Sequence, residues 1–162
     1  RTARSLKQKN KYMSNRFLMG KVQPEAYKAM NALDMYNSAS SVDRNLQELM
    51  RVRASQINGC AYCVNHHVHD ARKLGASEQK MHLVSVWKEA GDFFSEEEQL
   101  LLAITEEITL IHENGLSPAT YDKALALLGE EKTAQAIMVI VTINAWNRIG
   151  VALNMHPAGN WG

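Results

Sequence analysis

Asn58-Gly59-Cys60-Ala61-Tyr62-Cys63-Val64-Asn65-His66-His67 is the stretch on which the fold of this 162-residue chain turns. Asn58-Gly59 is a turn signal, so one helix stops there and another starts at once. The second helix is expected to run to Gly75, with Arg72 and Lys73 suited to its negative end. Upstream, Asp43 is a suitable N-cap for a helix carrying Leu46, Leu49, Met50 and Ile57. Pro24-Glu25 opens an earlier helix with Tyr27, Met30 and Leu33 at helical spacing. Downstream, Ser77 caps a short helix through Trp87, and Gly91-Asp92-Phe93-Phe94 reads as a loop with both aromatics packed inward. Ser95 and Glu98 make a capping box for a long helix, with Leu101, Ile104, Ile108 and Ile111 on one face and Gly115 at its end. Ser117-Pro118 restarts a helix through Leu128, closed by Gly129, and the last helix runs from about Glu131 to Leu153. Its centre, Ile137 to Ile143, is apolar nearly all round, which predicts burial in the core or against another subunit. No strand alternation competes, so the expected fold is all-α, a bundle of about seven helices.

Length and composition fit one domain with a real core. The formal net charge of +1 gives no general case for nucleic acid, but the charge is uneven. Residues 1–21 carry Arg1, Arg4, Lys7, Lys9, Lys11, Arg16 and Lys21 with no acid, leaving 11 basic against 17 acidic residues beyond them. The tail is short and lacks interleaved aromatics. We read it as a disordered or vector-derived leader with Met13 as a native start, not as a nucleic-acid arm. The domain proper is placed at 22–162. No apolar run reaches the length of a membrane span, and no apolar segment follows the basic N-terminus as in a secretory signal. Two cysteines without export features point to a reducing, cytoplasmic setting, where they serve redox chemistry or a metal rather than a structural staple.

Positions i, i+3 and i+7 share a helix face, so Cys60, Cys63 and His67 can meet. A helix N-terminus favours a thiolate through its dipole and unpaired N–H groups. A second thiol nearby can then resolve a sulfenic acid or mixed disulfide. Zinc is a competing use, with Cys60, Cys63 and His67 joined by His66 or His69, but one regular helix does not readily converge four ligands. Haem attachment needs His directly after the second Cys, where Val64 stands. Two inert buried thiols are the remaining alternative. His66 and His69 are expected to point away from the Cys60–His67 face, and His82, His112 and His156 have no local partner pattern.

The run Glu48-Leu49-Met50-Arg51-Val52-Arg53-Ala54-Ser55-Gln56-Ile57-Asn58-Gly59-Cys60-Ala61-Tyr62-Cys63, followed by His67 and Gly75, resembles the AhpD-like alkylhydroperoxidase core of the carboxymuconolactone decarboxylase superfamily. A looser likeness covers about 22–156, including Pro24 to Tyr27 and Ile143 to Arg148. The resemblance implies an all-helical homo-oligomer, a trimer or hexamer, that reduces hydroperoxides or disulfides without metal, flavin or haem. Cys63 would attack the peroxide, Cys60 would close the disulfide, and Glu48 and His67 would relay protons. A dithiol or a protein redox partner would restore the thiols. Helix-end physics alone instead favours Cys60 as the activated, exposed thiol. Tyr62 stands where the studied peroxidases carry a second histidine; it can support by hydrogen bonding but is a poor base near neutral pH. A decarboxylase-like lyase and a redox-sensing oligomer without turnover are the alternatives. Taken alone, Glu48 is a solvated residue or an ion-pair partner of Arg51 or Arg44. Asn144, Trp146 and Asn147 read as packing and hydrogen-bonding residues.

Overall fold

A computed structural model describes residues 16–157. Seven α-helices and no strands occur among them: α1 (Met19–Val22), α2 (Pro24–Ser38), α3 (Arg44–Ile57), α4 (Ala61–Lys73), α5 (Glu78–Leu83), α6 (Glu96–Thr109) and α7 (Pro118–Ala152). Short 3-10 turns at Val84–Glu89 and Gly91–Phe93 join α5 to α6. Local chemistry explains the boundaries. Asp43, Ser77, Ser95 and Ser117 each accept a backbone N–H of the following turn, and Ser95 with Glu98 completes a capping box. Gly129 interrupts α7 with φ 74° and ψ 171°, splitting it into the two helical stretches expected on either side.

Three expectations about this framework need correction. The helix after Ser95 ends at Thr109 rather than Gly115, and Ile111 lies beyond it, 63 % exposed. Of the two phenylalanines before that helix, Phe94 is buried, whereas Phe93 stays 37 % exposed with its ring edge-on to Phe94. The chain after Leu83 tightens into a 3-10 turn instead of continuing as α-helix to Trp87.

The central element is α3, which packs against α4, α6 and α7. Leu49, Val52, Met81, Trp87, Phe94 and Leu102 fill one side of the core. Met50, Leu101, Ile104, Val139 and Ile140 fill the other. Yet α3 also buries Gln47, Glu48, Arg51 and Ser55. A polar stripe inside a helical bundle is costly unless each group is partnered. Here the partners are present: Gln47 donates to the carbonyls of Asn37 and Val42, and Ser55 accepts from Asn147. The stripe leads to the site.

The expected tail of 1–21 lies largely outside the described residues. Within them, the Arg16 N–H donates to the Leu153 carbonyl and its guanidinium to that of Ala152. Gly20 in α1 lies against the ring of Tyr27, 3.4 Å from where a Cβ would be. Residues 16–22 are thereby laid across the end of the bundle. Among the described residues, no helix is long and apolar enough to cross a membrane.

Candidate active site

The turn at Asn58-Gly59 sets Cys60 at the N-cap of α4, with Gly59 at φ 67°. The Cys60 sulfur accepts the backbone N–H of Cys63 at 3.3 Å, and the two cysteines are joined as a disulfide. Asn58 is tied to the last helix by hydrogen bonds from its Nδ2 to Asn144 Oδ1 and Asn147 Oδ1, both 2.9 Å. The disulfide therefore rests on a turn anchored across the molecule. Behind it lies Gly150, where a Cβ would stand 2.9 Å from the Cys60 sulfur and 3.4 Å from that of Cys63. Only a residue without a side chain lets α7 come this close undisturbed.

Glu48 reaches the same place from α3. Its Oε2 is 2.7 Å from His67 Nδ1, and its Oε1 accepts from the Arg51 guanidinium at 2.5 Å. Burial alone would raise the Glu48 pKa, but hydrogen bonding and charge from His67 and Arg51 outweigh it and hold the carboxyl below the usual range. An ionised Glu48 accepts at Nδ1–H, which leaves Nε2 of a neutral His67 with the lone pair. Arg51 also donates to Gln47 and lies 3.8 Å from Asp34. The Trp146 indole N–H donates to Asp34 at 2.7 Å, and its ring meets Tyr27 edge-on. Of the local alternatives for Glu48, the structure has the ion pair with Arg51 and not the solvated side chain, since Glu48 is 3 % exposed.

A cavity of about 480 Å³ opens against this cluster. Phe17, Leu18, Tyr27, Trp146, Ile149 and Met155 give it apolar walls, and Arg51, Cys63, His66 and His67 lie at its polar end. Its size suits a small organic molecule. Cys63 lines the cavity and Cys60 does not. The expectation from helix-end physics that Cys60 is the more exposed thiol is thus corrected, since Cys60 is 2 % exposed and Cys63 5 %. Capping explains the reversal: the N-cap sulfur turns back onto the helix and is pressed between it and Gly150. His66 is exposed, as expected for a residue on the flank of the helix, but it does not turn away from the cysteines. It lines the cavity beside Cys63, stacked parallel to Tyr62 with centroids 6.2 Å apart. Burial, and then the charge of His67, lower its pKa despite the pull of Asp70 and Glu48.

Sequence reasoning missed Asp34, Tyr27, Gly150 and the segment from Phe17 to Lys21 as cavity residues. They come from both ends of the chain and carry no spacing relation to the cysteines.

The carboxymuconolactone decarboxylase family profile matches residues 24–107, half of the chain and the part holding Glu48, both cysteines and His67. The uncharacterized protein YdfG of Bacillus subtilis (strain 168) is 37 % identical over 146 residues, which is 90 % of this chain and 99 % of that protein. A crystal structure from Agrobacterium tumefaciens, of a protein of unknown function assigned provisionally to AhpD-type antioxidant defence, superposes with a TM-score of 0.86. That structure is 37 % identical and covers 90 % of this chain and all of its own. An uncharacterized peroxidase-related protein from Silicibacter sp. TM1040 shares the fold at a TM-score of 0.75 and 18 % identity, over 85 % of this chain and 72 % of its own. With this profile match and these relatives, the AhpD-like helical chain belongs to the carboxymuconolactone decarboxylase family.

Proposed function

We propose that the protein is a thiol-dependent peroxidase that reduces organic hydroperoxides, or an equivalent disulfide reductase, at Cys63. The observation that carries this reading is the placement of Cys63 on the cavity wall, beside His67 and with Cys60 already within bonding distance. In the reduced protein, His67 Nε2 takes the Cys63 thiol proton while Glu48 stabilises the imidazolium. The thiolate attacks the terminal peroxide oxygen and the O–O bond breaks. The alkoxide leaves as an alcohol with the proton returned by His67, and Cys63 becomes a sulfenic acid. The Cys60 thiol then attacks that sulfur, water departs and the disulfide forms. An external dithiol or a protein redox partner supplies two electrons and two protons to reopen it. The chemistry proposed calls on no metal, flavin or haem, and Tyr62 supports by holding the ring of His66.

The substrate is a small-molecule hydroperoxide, neither a nucleic acid nor a membrane. A cytoplasmic setting fits, because a pair that must be re-reduced needs a supply of thiols. We also read the chain as a homo-oligomer, a trimer or hexamer. Met35, Tyr36 and Val141 are 74 %, 52 % and 46 % exposed, and the Asn37–Thr142 hydrogen bond brings their helices together.

The test is turnover of an alkyl hydroperoxide by purified protein with several dithiols, beside the Cys63→Ser, Cys60→Ser and double variants. Turnover lost in both single variants, with sulfenic acid trapped only when Cys63 is present, is the expected result. Full hydroperoxide turnover in the double variant would remove the thiol-dependent reading, and a cysteine-independent reaction on a lactone acid would favour a decarboxylase-like lyase. One stoichiometric oxidation with a change in size and no cycle would favour a redox sensor.

A further inference from the structure

Beyond the disulfide, α4 carries a second set of donors, of which His66 and His67 line the cavity. Nitrogens of His66 and His67 and a carboxylate oxygen of Asp70 all lie within 4.8 Å of one another. His66 and Asp70 are one helical turn apart, with Nε2 3.4 Å from Oδ2. We propose that these three residues form an inhibitory site for a divalent transition-metal ion such as Zn²⁺, an ion that regulates the pocket rather than a cofactor of it.

Three observations converge. The donor set, two imidazoles and one carboxylate, is of the kind that zinc and its neighbours take, with solvent filling the fourth position. Ligand atoms about 2.0–2.2 Å from one ion stand roughly 3–4 Å apart, so a side-chain movement of about 1 Å closes the cluster. The second observation is independent of the cluster. His67 Nδ1 is held by Glu48 at 2.7 Å, which fixes the ring and leaves Nε2 as the ligand atom. A carboxylate behind a histidine is the outer arrangement that orients metal-bound imidazoles and raises their basicity. Third, His66 is steadied by its parallel stack on Tyr62, so two rings are positioned before any ion arrives. Lys73 competes for Asp70, but at 3.5 Å and on the other carboxylate oxygen.

Occupancy has one direct consequence. The lone pair on His67 Nε2 is the proton acceptor assigned to Cys63, and an ion bound there removes it. His66 and His67 both line the cavity, so the ion would also sit in the approach to Cys63. The inhibition rests on the peroxidase reading; the binding does not.

The experiment starts from the Cys60→Ser/Cys63→Ser protein, in which no thiol can bind metal. Co²⁺ absorbance and Zn²⁺ competition against a chromophoric chelator are expected to give one site. His66→Ala and Asp70→Ala are each expected to weaken it by about tenfold or more. Side chains of both are substantially exposed, and a thermal melt confirms folding. Binding undiminished in both variants, or binding seen only when the cysteines are present, overturns the site. In the native protein, Zn²⁺ should suppress peroxide turnover, a chelator should restore it, and Asp70→Ala should resist the ion while keeping basal turnover. Equal inhibition of Asp70→Ala overturns the regulatory role. Absence of any turnover, with metal binding intact, would count against the peroxidase reading alone.

Discussion

Two glutamates in this molecule are held in nearly the same way and differ in one respect. Glu48 on α3 and Glu106 on α6 are both largely buried, with side chains 3 % and 14 % exposed. Both carboxyls sit below the usual pKa range, because hydrogen bonds and positive charge overcome the cost of burial. Glu106 accepts from Arg53, from the Trp87 indole at 2.7 Å and from Lys88 at 2.7 Å. Arg53 and Arg51 are two residues apart on α3, and each serves one of the carboxylates. The three donors on Glu106 are a guanidinium, an indole and an ammonium, side-chain types that donate and do not serve as bases. Glu48 has one such donor, Arg51, and one partner that can also act as a base, the His67 imidazole. Burial and a lowered pKa therefore do not by themselves mark a reactive carboxylate. What sets Glu48 apart is a histidine partner that opens on a cavity.

The comparison breaks most readily on activity. His67→Ala should lower kcat/KM for an alkyl hydroperoxide by about 10²–10⁴-fold, the usual range for loss of a positioned acid–base group. Glu48→Gln should follow part of the way, with a changed pH profile. Glu106→Gln should leave kcat/KM within a few fold. Steady-state kinetics of the three variants decides the matter, and a large loss in Glu106→Gln would end the distinction.

Stability separates the two next. Arg51 is buried against Glu48, and removing one member of a buried pair costs about 3–5 kcal/mol because the other charge is stranded. Arg51→Gln should approach that figure in urea unfolding, with Arg51→Lys recovering part of it. Glu106 sits nearer solvent, which screens it, and several of its donors can turn to water. Glu106→Gln should cost only about 1–2 kcal/mol.

How much of this was legible in the sequence follows from which interactions are local. Caps were legible, since Asp43, Ser77, Ser95 and Ser117 bond to groups two or three residues away. The breaks at Gly59 and Gly129 were legible too, because both need a positive φ. The Glu48–His67 contact joins residues 19 apart, and only a whole-motif resemblance could join them. His66 was read rightly as exposed but its place beside the cavity was missed, although it is three residues after Cys63 and so near its face. Asp34 and Tyr27 on α2 meet Trp146 on α7, and Gly150 on α7 meets the disulfide, through tertiary packing that no periodicity encodes. Ile111 shows the opposite failure, where an apolar spacing continued past the point at which the backbone left the helix.

The smallest effect is the most direct check on the two carboxylates, and it lies in acid. For Glu48 and Glu106 the folded pKa is below the unfolded one, so each contributes stability that is present above the ordinary carboxylate range. That contribution is lost as the pH falls through the lowered folded value. His66 has the same sign by a different route. Its folded pKa lies below the ordinary 6.5, so its share is present above that value and lost as the pH drops beneath it. Unfolding free energy measured in urea should therefore fall in two stages, a shallow one from His66 and a steeper one from the carboxylates. Glu106→Gln should reduce only the second stage. His66→Ala should flatten only the first. In Glu48→Gln the acid stage should shrink as well, because that side chain no longer titrates. That variant should also move the NMR signals of the His67 ring protons, because the ring loses its partner at Nδ1. The same shift in Glu106→Gln would mean that the two carboxylates are coupled across α3, and that the separation between a structural and a reactive glutamate is wrong.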